Sequence, residues 1–335
     1  MKACAGAARL FLLLATASLQ CAAQTYNVKD LGTIPGGEFS EGQAINAGGQ
    51  VTGIAGSTVG DVFLYSHGKM IDMGTLGGGK AIGNAINASA QVAGYSTNAA
   101  GTYRAFLSIK GKLTDIGDLG GGSATAYGLN DSGQVVGSSY LSDGEVRPFL
   151  YSNGKMVDLG TLGSHQPGVW SSANGINKSG AVIGTSWNSK GDFLGFVWKN
   201  GKMKALGTLG GSFSQAYAIN NLEQMTGAAY TSTGGLHAFI TTGGKLKDLG
   251  TIQGDASWGF AINDSGVVVG QSTYGNGMDY HAFVYTNHKM KDLNKLIPAN
   301  SGWELQVANS INAAGRIVGY GTHNGVTRAF VLTPH

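Results

Sequence analysis

Charged side chains at fixed places in a recurring pattern are the first candidates for chemistry. A Phe recurs along the chain, and the residue two positions before it is Arg or His in five of seven copies. Two residues spaced this way on a strand share a face, so the side chains could form an anion-binding or metal-binding ring. Because the position varies between Arg and His, we favour an ion pair or hydrogen bond to an Asp or Asn of a neighbouring strand in each repeat. The seven positions are Asp61, Arg104, Arg147, Leu194, His237, His281 and Arg328.

A recurring Asp followed by Gly or Asn two residues later has the same structural interpretation, because such an Asp usually accepts hydrogen bonds from backbone amides of its own turn. Its copies include Asp72, Asp115, Asp158, Asp248 and Asp292.

The sequence contains no complete motif of the common catalytic or cofactor-binding sites. Gly74 to Lys80 has the spacing of a phosphate loop, but Ala81 stands where Ser or Thr would hold magnesium and no helical pattern follows. The sequence has neither a Gly-x-Ser-x-Gly elbow nor a His-x3-His pair. We therefore predict no catalytic residue, metal ligand or cofactor, although a zinc site assembled from different repeats stays open.

Aromatic residues in the irregular connections are the stronger candidates. Three of the five Trp fall in predicted connections between repeats, at 164–170, 255–258 and 298–304. Aromatic platforms near Asn, Gln and Ser suit sugar rings or a peptide, whereas the competing hypothesis is that each Trp packs between repeats. Both interpretations stay open. The tentative ligand-binding residues are Trp170, Trp187, Trp258, Trp303, Tyr274 and Asn188.

These residues belong to a sequence repeat that extends over the whole predicted mature chain. An aliphatic residue followed by Asn recurs seven times at spacings of 41 to 49 residues, and a Gly follows each Asn seven residues later. The repeated Asn residues are Asn46, Asn87, Asn130, Asn177, Asn220, Asn263 and Asn312. The repeated Phe residues are Phe63, Phe106, Phe149, Phe196, Phe239, Phe283 and Phe330.

Each repeat contains four short segments rich in Val, Ile, Phe and Tyr, separated by turn residues and without a helical period. Four strands in about 43 residues is the size of a propeller blade, so we predict an all-β, seven-bladed β-propeller of antiparallel strands. The first strand, rich in small residues, is predicted to be innermost. Residues 26–32 resemble a fourth strand and should complete the last blade beside Phe330, closing the ring.

Asn-x-x-Gly turns are predicted to join the first and second strands. Ala90 and Glu223 occupy the Gly position in two copies. A side chain at positive φ costs about 1 kcal/mol, so we expect these two turns to be altered or strained.

These segments resemble a known family. His237-Ala238-Phe239 and His281-Ala282-Phe283 match the tripeptide that names the secreted bacterial HAF repeats, and the Asp-Leu-Gly-Thr-Leu-Gly-Gly and Ile-Asn-x-x-Gly-x-Val-x-Gly segments are similar to that family as well. The resemblance covers all seven copies. It implies an extracellular bacterial protein and assigns no catalytic residue.

The first 23 residues are predicted to be a secretory signal peptide. The basic residues Lys2 and Arg9 precede a short apolar run that is too short to span a bilayer. The small residues Cys21 and Ala23 fit cleavage after Ala23. A lipid anchor at Cys21 is disfavoured, because Gln20 precedes it where lipoprotein signals have a small residue. The mature domain, 24–335, would then contain no cysteine and 20 basic against 19 acidic residues, which disfavours nucleic acid as a partner.

Composition sets the remaining limits. Gly accounts for 57 of 335 residues while 42% of residues are hydrophobic and 12% charged, which is typical of a turn-dense chain with a core. We predict a secreted or periplasmic monomeric module, without a membrane span, that binds a glycan or protein through aromatic-bearing loops on one propeller face. A propeller-based polysaccharide lyase or glycoside hydrolase and a purely structural surface protein are the alternatives, and the scarcity of Glu in the mature chain disfavours the enzyme.

Overall fold

The computed structural model describes residues 24–163, 170–275, 277 and 279–335, and these residues form short β-strands joined by turns and loops. Within this part of the chain the only helix is one 3-10 turn at Leu293–Lys295. The predicted signal peptide, residues 1–23, lies outside the described residues. The predicted all-β architecture of short antiparallel strands is confirmed.

The described residues contain 28 strands, which we group in fours. The N-terminal strand is β1 (Tyr26–Asp30). Unit 1 comprises β2 (Phe39–Ile45), β3 (Val51–Gly56), β4 (Gly60–Ser66) and β5 (Lys69–Gly74). Unit 2 comprises β6 (Gly77–Ile86), β7 (Val92–Asn98), β8 (Tyr103–Ile109) and β9 (Lys112–Asp115). Unit 3 comprises β10 (Ala124–Leu129), β11 (Val135–Tyr140), β12 (Val146–Ser152) and β13 (Lys155–Asp158).

The second half of the chain repeats this order. Unit 4 comprises β14 (Ser172–Ile176), β15 (Val182–Trp187), β16 (Phe193–Lys199) and β17 (Lys202–Ala205). Unit 5 comprises β18 (Gly210–Ile219), β19 (Met225–Thr231), β20 (Leu236–Thr242) and β21 (Lys245–Asp248). Unit 6 comprises β22 (Ser257–Ile262), β23 (Val268–Tyr274), β24 (Asp279–Thr286) and β25 (Lys289–Asp292). Unit 7 comprises β26 (Trp303–Ile311), β27 (Ile317–His323) and β28 (Val326–Pro334), with β1 as its fourth strand.

Consecutive strands within each unit pair antiparallel, as the turn residues require. In unit 7 the fourth strand comes from the other end of the chain, because β1 pairs with β28 and places Asp30 opposite Phe330. Units 4 and 5 also join through one bridge between Phe193 and Phe213, so together they form an eight-stranded sheet.

The repeated Gly and Phe form the centre of each unit. Every one of the seven Phe side chains is fully buried. Each lies opposite the repeated Gly of the second strand, as Phe196 lies opposite Gly184. The hydrophobic core lies between neighbouring units: Val62 of unit 1 packs in one cluster with Val92 and Phe106 of unit 2. Unit 1 likewise packs against unit 7, since Phe63 shares a cluster with Val318 and Ala329.

Buried Asn amides connect the units in a closed circle. Asn46 Nδ2 donates to the backbone oxygen of Asn87 at 3.0 Å, and the same bond links each repeated Asn to the next. Asn312 Nδ2 completes the circle by donating to Asn46 O at 3.0 Å. A side-chain amide that bridges two units this way satisfies buried polar groups on both, which fixes their relative position.

Ala90 and Glu223 do occupy strained turns, as predicted. Both adopt left-handed backbone, with φ of 59° and 60°, where other copies have Gly, as at Gly133 with φ 74°. The turn itself is preserved, since Ala90 N donates to Asn87 O at 3.0 Å.

Ala90→Gly should therefore raise the free energy of unfolding by about 0.5–1 kcal/mol, because glycine adopts positive φ without the Cβ clash. Urea unfolding followed by circular dichroism measures this change. Ala88→Gly, in the same turn but at negative φ, is the matched control and should destabilise. A loss of stability in both variants would contradict the assignment of strain to Ala90.

Candidate functional site

The two faces of the molecule differ in their surface residues. The first strands of all units end at the Asn circle, and we call this side the ring face. The opposite side, where second strands end and third strands begin, is the open face. Among the described residues, five of the six most exposed aromatic side chains lie at or next to strand ends on the open face, and the sixth, Tyr127, lies within β10. The five are Tyr103, Tyr140, Trp170, Tyr230 and Tyr280, each 40–46% exposed.

Five aromatic rings form a continuous row across units 4 and 5 on the open face. Phe193 is central: its ring centroid lies 4.9 Å from Trp170, 5.0 Å from Trp187 and 5.8 Å from Phe213. Tyr230 extends the row, 5.3 Å from Phe213. We call these five residues the aromatic row. Its ends are exposed and its middle is nearly buried, since Phe193 is 9% exposed, so packing holds the outer rings in place.

The strands explain why these rings meet. Trp187 ends β15 and Phe193 begins β16, and the two residues pair directly across the hairpin. The single bridge from Phe193 to Phe213 then brings unit 5 alongside. Phe193, Phe213 and Tyr230 were not among the predicted residues, because Phe and Tyr are common in strands. The available signal was that Phe193 and Tyr230 fall at or next to a strand end.

Trp170 and Trp187 thus come together as predicted aromatic candidates, and Trp170 is exposed while Trp187 is partly buried. The predicted loop at 164–170 lies outside the described residues except for Trp170. Asn188 lies beside them, but its amide is already used: Oδ1 accepts from the backbone of Lys190 and Asp192, and Nδ2 donates to the Asp192 carboxylate at 2.9 Å. Asn188 therefore supports its turn.

Trp258 and Trp303 do not lie in loops, which corrects that part of the sequence prediction. Trp258 belongs to β22, and its ring lies 6.1 Å from that of Tyr280. Trp303 begins β26, a nine-residue strand that accommodates its added residues through a second register shift, between Leu305 and Val307. The extra residues lengthened a strand because they could continue pairing with β27, which satisfies their backbone groups.

Packing accounts for Trp303 and Tyr274. The Trp303 ring stacks on His323 at 4.5 Å and meets Phe330 edge-on at 5.8 Å. Tyr274, which ends β23, stacks on His281 at 3.8 Å. Both residues therefore use their rings in contacts within their own units, whereas the predicted packing of Trp was between repeats.

The repeated Arg and His side chains mostly contact the carboxylates that the repeat predicts. Arg104 contacts Asp115 at 2.7 Å and also Asp118 at 2.6 Å. His237 and His281 contact their fourth-strand carboxylates, Asp248 and Asp292, at 2.9 and 3.0 Å. The carboxylates also accept from turn amides, as Asp248 does from Gly250 N at 2.7 Å.

Unit 1 breaks this pattern because Asp61 faces another carboxylate. Burial and the charge of Asp72 together raise the pKa of Asp61. Asp72 still accepts from Gly74 N at 2.7 Å, so its structural role in the turn is kept. Arg328 in unit 7 also differs from the other copies, because it donates to the backbone oxygen of Glu38 in unit 1 and not to a carboxylate of its own unit.

A pocket of about 400 Å³ opens between units 6 and 7. Its polar lining comes from the second strands, the start of β24 and the start of β26. Trp258 lies beside it, opposite Gln271 in the strand register. The lining residues are Gln271, Asp279, Tyr280, Glu304, Gln306, Val307 and Tyr320.

Burial perturbs the pKa of four acidic groups in the first and second strands, those of Glu41, Tyr95, Tyr217 and Tyr320. Burial raises the pKa of the Glu41 carboxyl, and the charge of Lys80 offsets part of that rise. Burial also raises the pKa of Tyr95 and Tyr320, and Glu41 adds to both shifts. Burial raises the pKa of Tyr217 to about 12. The Tyr217 hydroxyl donates to Gln215 Oε1 at 2.5 Å.

Within the described ranges, no group of three or more His, Cys, Asp or Glu side chains is arranged to hold a metal ion. The same part of the chain contains no helix long and apolar enough to cross a membrane.

Comparison with known proteins supports the fold. No known family model matches the chain, and no curated protein matches it. The chain is similar to the β-propeller domain of the Trilobed protease from Pyrococcus furiosus, with a TM-score of 0.59 and 10% identity over 88% of this chain and 95% of that one. That domain is described as having an open velcro topology.

Two larger proteins also contain similar structures. A puromycin-hydrolyzing peptidase from Mycobacterium tuberculosis gives a TM-score of 0.53 and 13% identity over 85% of this chain. The extracellular domain of the putative one component system BT4673 from B. thetaiotaomicron gives a TM-score of 0.51 and 10% sequence identity over 91% of this chain. The chain spans 47% and 39% of their respective lengths. At these identities the likenesses establish the propeller fold alone.

Proposed function

We propose that the protein is an exported seven-bladed β-propeller of the HAF-repeat type that binds a glycan on its open face. In this proposal residues 1–23 are removed, units 1 to 7 are the blades, and β1 closes the ring. The return of the Asn circle from Asn312 to Asn46 and the pairing of β1 with β28 support closure. The resemblance of the repeats to secreted HAF repeats supports export.

The observation that carries the binding function is the placement of exposed aromatic rings on one face. Exposed Tyr and Trp are unusual in such a concentration on a surface that needs no partner. In the aromatic row, Trp170 and Tyr230 remain accessible while the nearly buried Phe193 fixes their position. A rigid line of flat rings suits successive sugar units, which stack their apolar faces on aromatics.

Among the described residues, a glycan fits this face better than a protein partner because the exposed rings are mostly tyrosines with hydroxyl groups, and few aliphatic side chains accompany them. In that part of the chain, Val59 and Val326 are the large aliphatic residues exposed at strand ends on this face, 55% and 40% exposed. A protein interface would be expected to offer a more continuous apolar centre.

The test is a binding screen of the full mature chain on an array of bacterial, fungal and plant oligosaccharides. We expect at least one glycan to bind, and Trp170→Ala combined with Tyr230→Ala to weaken that binding about tenfold or more, the effect of losing two stacking platforms. Leu222→Ala is the matched control, because Leu222 is 68% exposed but lies in a turn on the ring face.

Circular dichroism and the unfolding midpoint establish that each variant is folded. Binding that is equal in wild type and double variant would contradict the role of the aromatic row. Absence of any bound glycan would contradict the glycan assignment. Cleavage of an array glycan would favour the lyase or glycoside hydrolase alternative.

A further inference from the structure

The pocket between units 6 and 7 differs chemically from the aromatic row. Its lining combines two carboxylates, Asp279 and Glu304, with two amides and two tyrosines, and no basic side chain belongs to the described lining. It lies on the open face, because Asp279 begins β24 and Glu304 is the second residue of β26.

Both carboxylates are exposed, and neither has a side-chain partner among the described residues. Elsewhere in the repeats an acidic side chain at a strand end usually meets a cation or a turn amide, as Asp248 meets His237 and Gly250 N. Among the residues that the structure describes, neither Asp279 nor Glu304 has a side-chain hydrogen bond or ion pair. Two carboxylates lining one pocket produce a negative potential that favours a cation.

Aromatic walls add a second attraction for a cation. Tyr280 lines the pocket and is 41% exposed, and its ring lies 6.1 Å from Trp258. Tyr320 forms another part of the lining and keeps its phenolic proton, since burial raises the pKa of its hydroxyl. Ring faces attract ammonium groups, while tyrosine hydroxyls and the Gln271 and Gln306 amides can hydrogen-bond to ligand hydroxyls.

We propose that this pocket binds the free amino group of an amino sugar within a glycan, with Asp279 and Glu304 receiving the ammonium and Tyr280 and Tyr320 flanking the ring. The inference rests on the proposed glycan-binding function, because it names the sugar class that the open face selects. A ring bearing both hydroxyls and an ammonium matches the lining, whereas a small metal ion would leave its aromatic and amide groups unused.

The experiment uses the full chain and two probes that differ only in N-acetylation: the tetramer of β-1,4-linked glucosamine and its fully N-acetylated form. Isothermal titration calorimetry measures both affinities in one buffer. We expect the glucosamine tetramer to bind about tenfold or more tightly than the acetylated one, since acetylation removes the ammonium. Asp279→Asn combined with Glu304→Gln should abolish that preference and leave the unfolding midpoint unchanged.

Two controls separate this inference from the proposed function. Glu38→Gln removes an exposed carboxylate next to β2, outside the pocket, and should keep the preference. The Trp170→Ala, Tyr230→Ala variant should lose affinity for both tetramers while keeping their ratio. Retention of the preference in the Asp279, Glu304 variant would overturn the pocket assignment while leaving the aromatic row intact.

Equal affinity for the two tetramers would overturn the inference in the same way. A lysine tetrapeptide tests the other source of an ammonium. If it binds through Asp279 and Glu304 and the glucosamine tetramer does not, the amino-sugar assignment is wrong.

Discussion

Asn130→Asp is expected to lower the free energy of unfolding by roughly 3–5 kcal/mol, as placing an uncompensated charge in a buried site does. Asn130 is 5% exposed, and its Nδ2 donates to Gln134 Oε1 at 2.8 Å and to Asn177 O at 3.1 Å. Asp has the same shape but replaces this donor with an oxygen that faces two other oxygens. Urea unfolding at neutral pH measures the loss.

Asn98→Asp is the matched control. Asn98 closes a turn of the same design, accepting from the backbone of Ala100 and Thr102 at 3.0 Å each, but its amide bridges no second unit. An Asp at position 98 keeps both hydrogen bonds that the side-chain oxygen accepts, so the free energy of unfolding should change by no more than about 0.5 kcal/mol. The Asn130→Asp deficit should also shrink at acidic pH, because a protonated carboxyl can donate again. Equal losses in the two variants would show that the circle of amides does not stabilise the assembly of units.

Gly184→Ala should lower the free energy of unfolding by at least about 3 kcal/mol, which is the upper end of the range for overpacking a core. A Cβ on Gly184 would overlap the backbone oxygen of Ser172 and approach Phe196 Cζ to 2.8 Å. Neither neighbour can move easily, since Ser172 belongs to the inner strand and Phe196 is fully buried. The change is measured as a shift in the urea midpoint.

Gly207→Ala is the control for that prediction. Gly207 has open space around the site of a Cβ and does not have positive φ, so alanine should be neutral or slightly stabilising. The repeated Gly, seven residues after each Asn, lets the second strand approach the first strand closely. An unchanged urea midpoint in Gly184→Ala would contradict this close approach.

The local elements followed from the sequence because their causes are local. Turn residues such as Asn130 and Gly133 fix the hairpin between β10 and β11 wherever the unit packs. The same holds for the strained Ala90, whose φ follows from its place in the turn. Two of the five rings in the aromatic row, Trp170 and Trp187, were predicted, because Trp is rare enough to be noticed. Phe193, Phe213 and Tyr230 are ordinary strand residues.

By itself, the sequence determined that the chain forms short antiparallel strands in repeated groups of four, since period-2 patterns and turn residues act over a few positions. Only the tertiary structure decided which side chains share a surface. It made Trp303 a packing residue against His323, placed Phe193 between Trp170 and Phe213, and joined Asp279 and Glu304 across two units. These neighbours are separated along the chain, and their contact depends on how whole units pack, which no local pattern encodes.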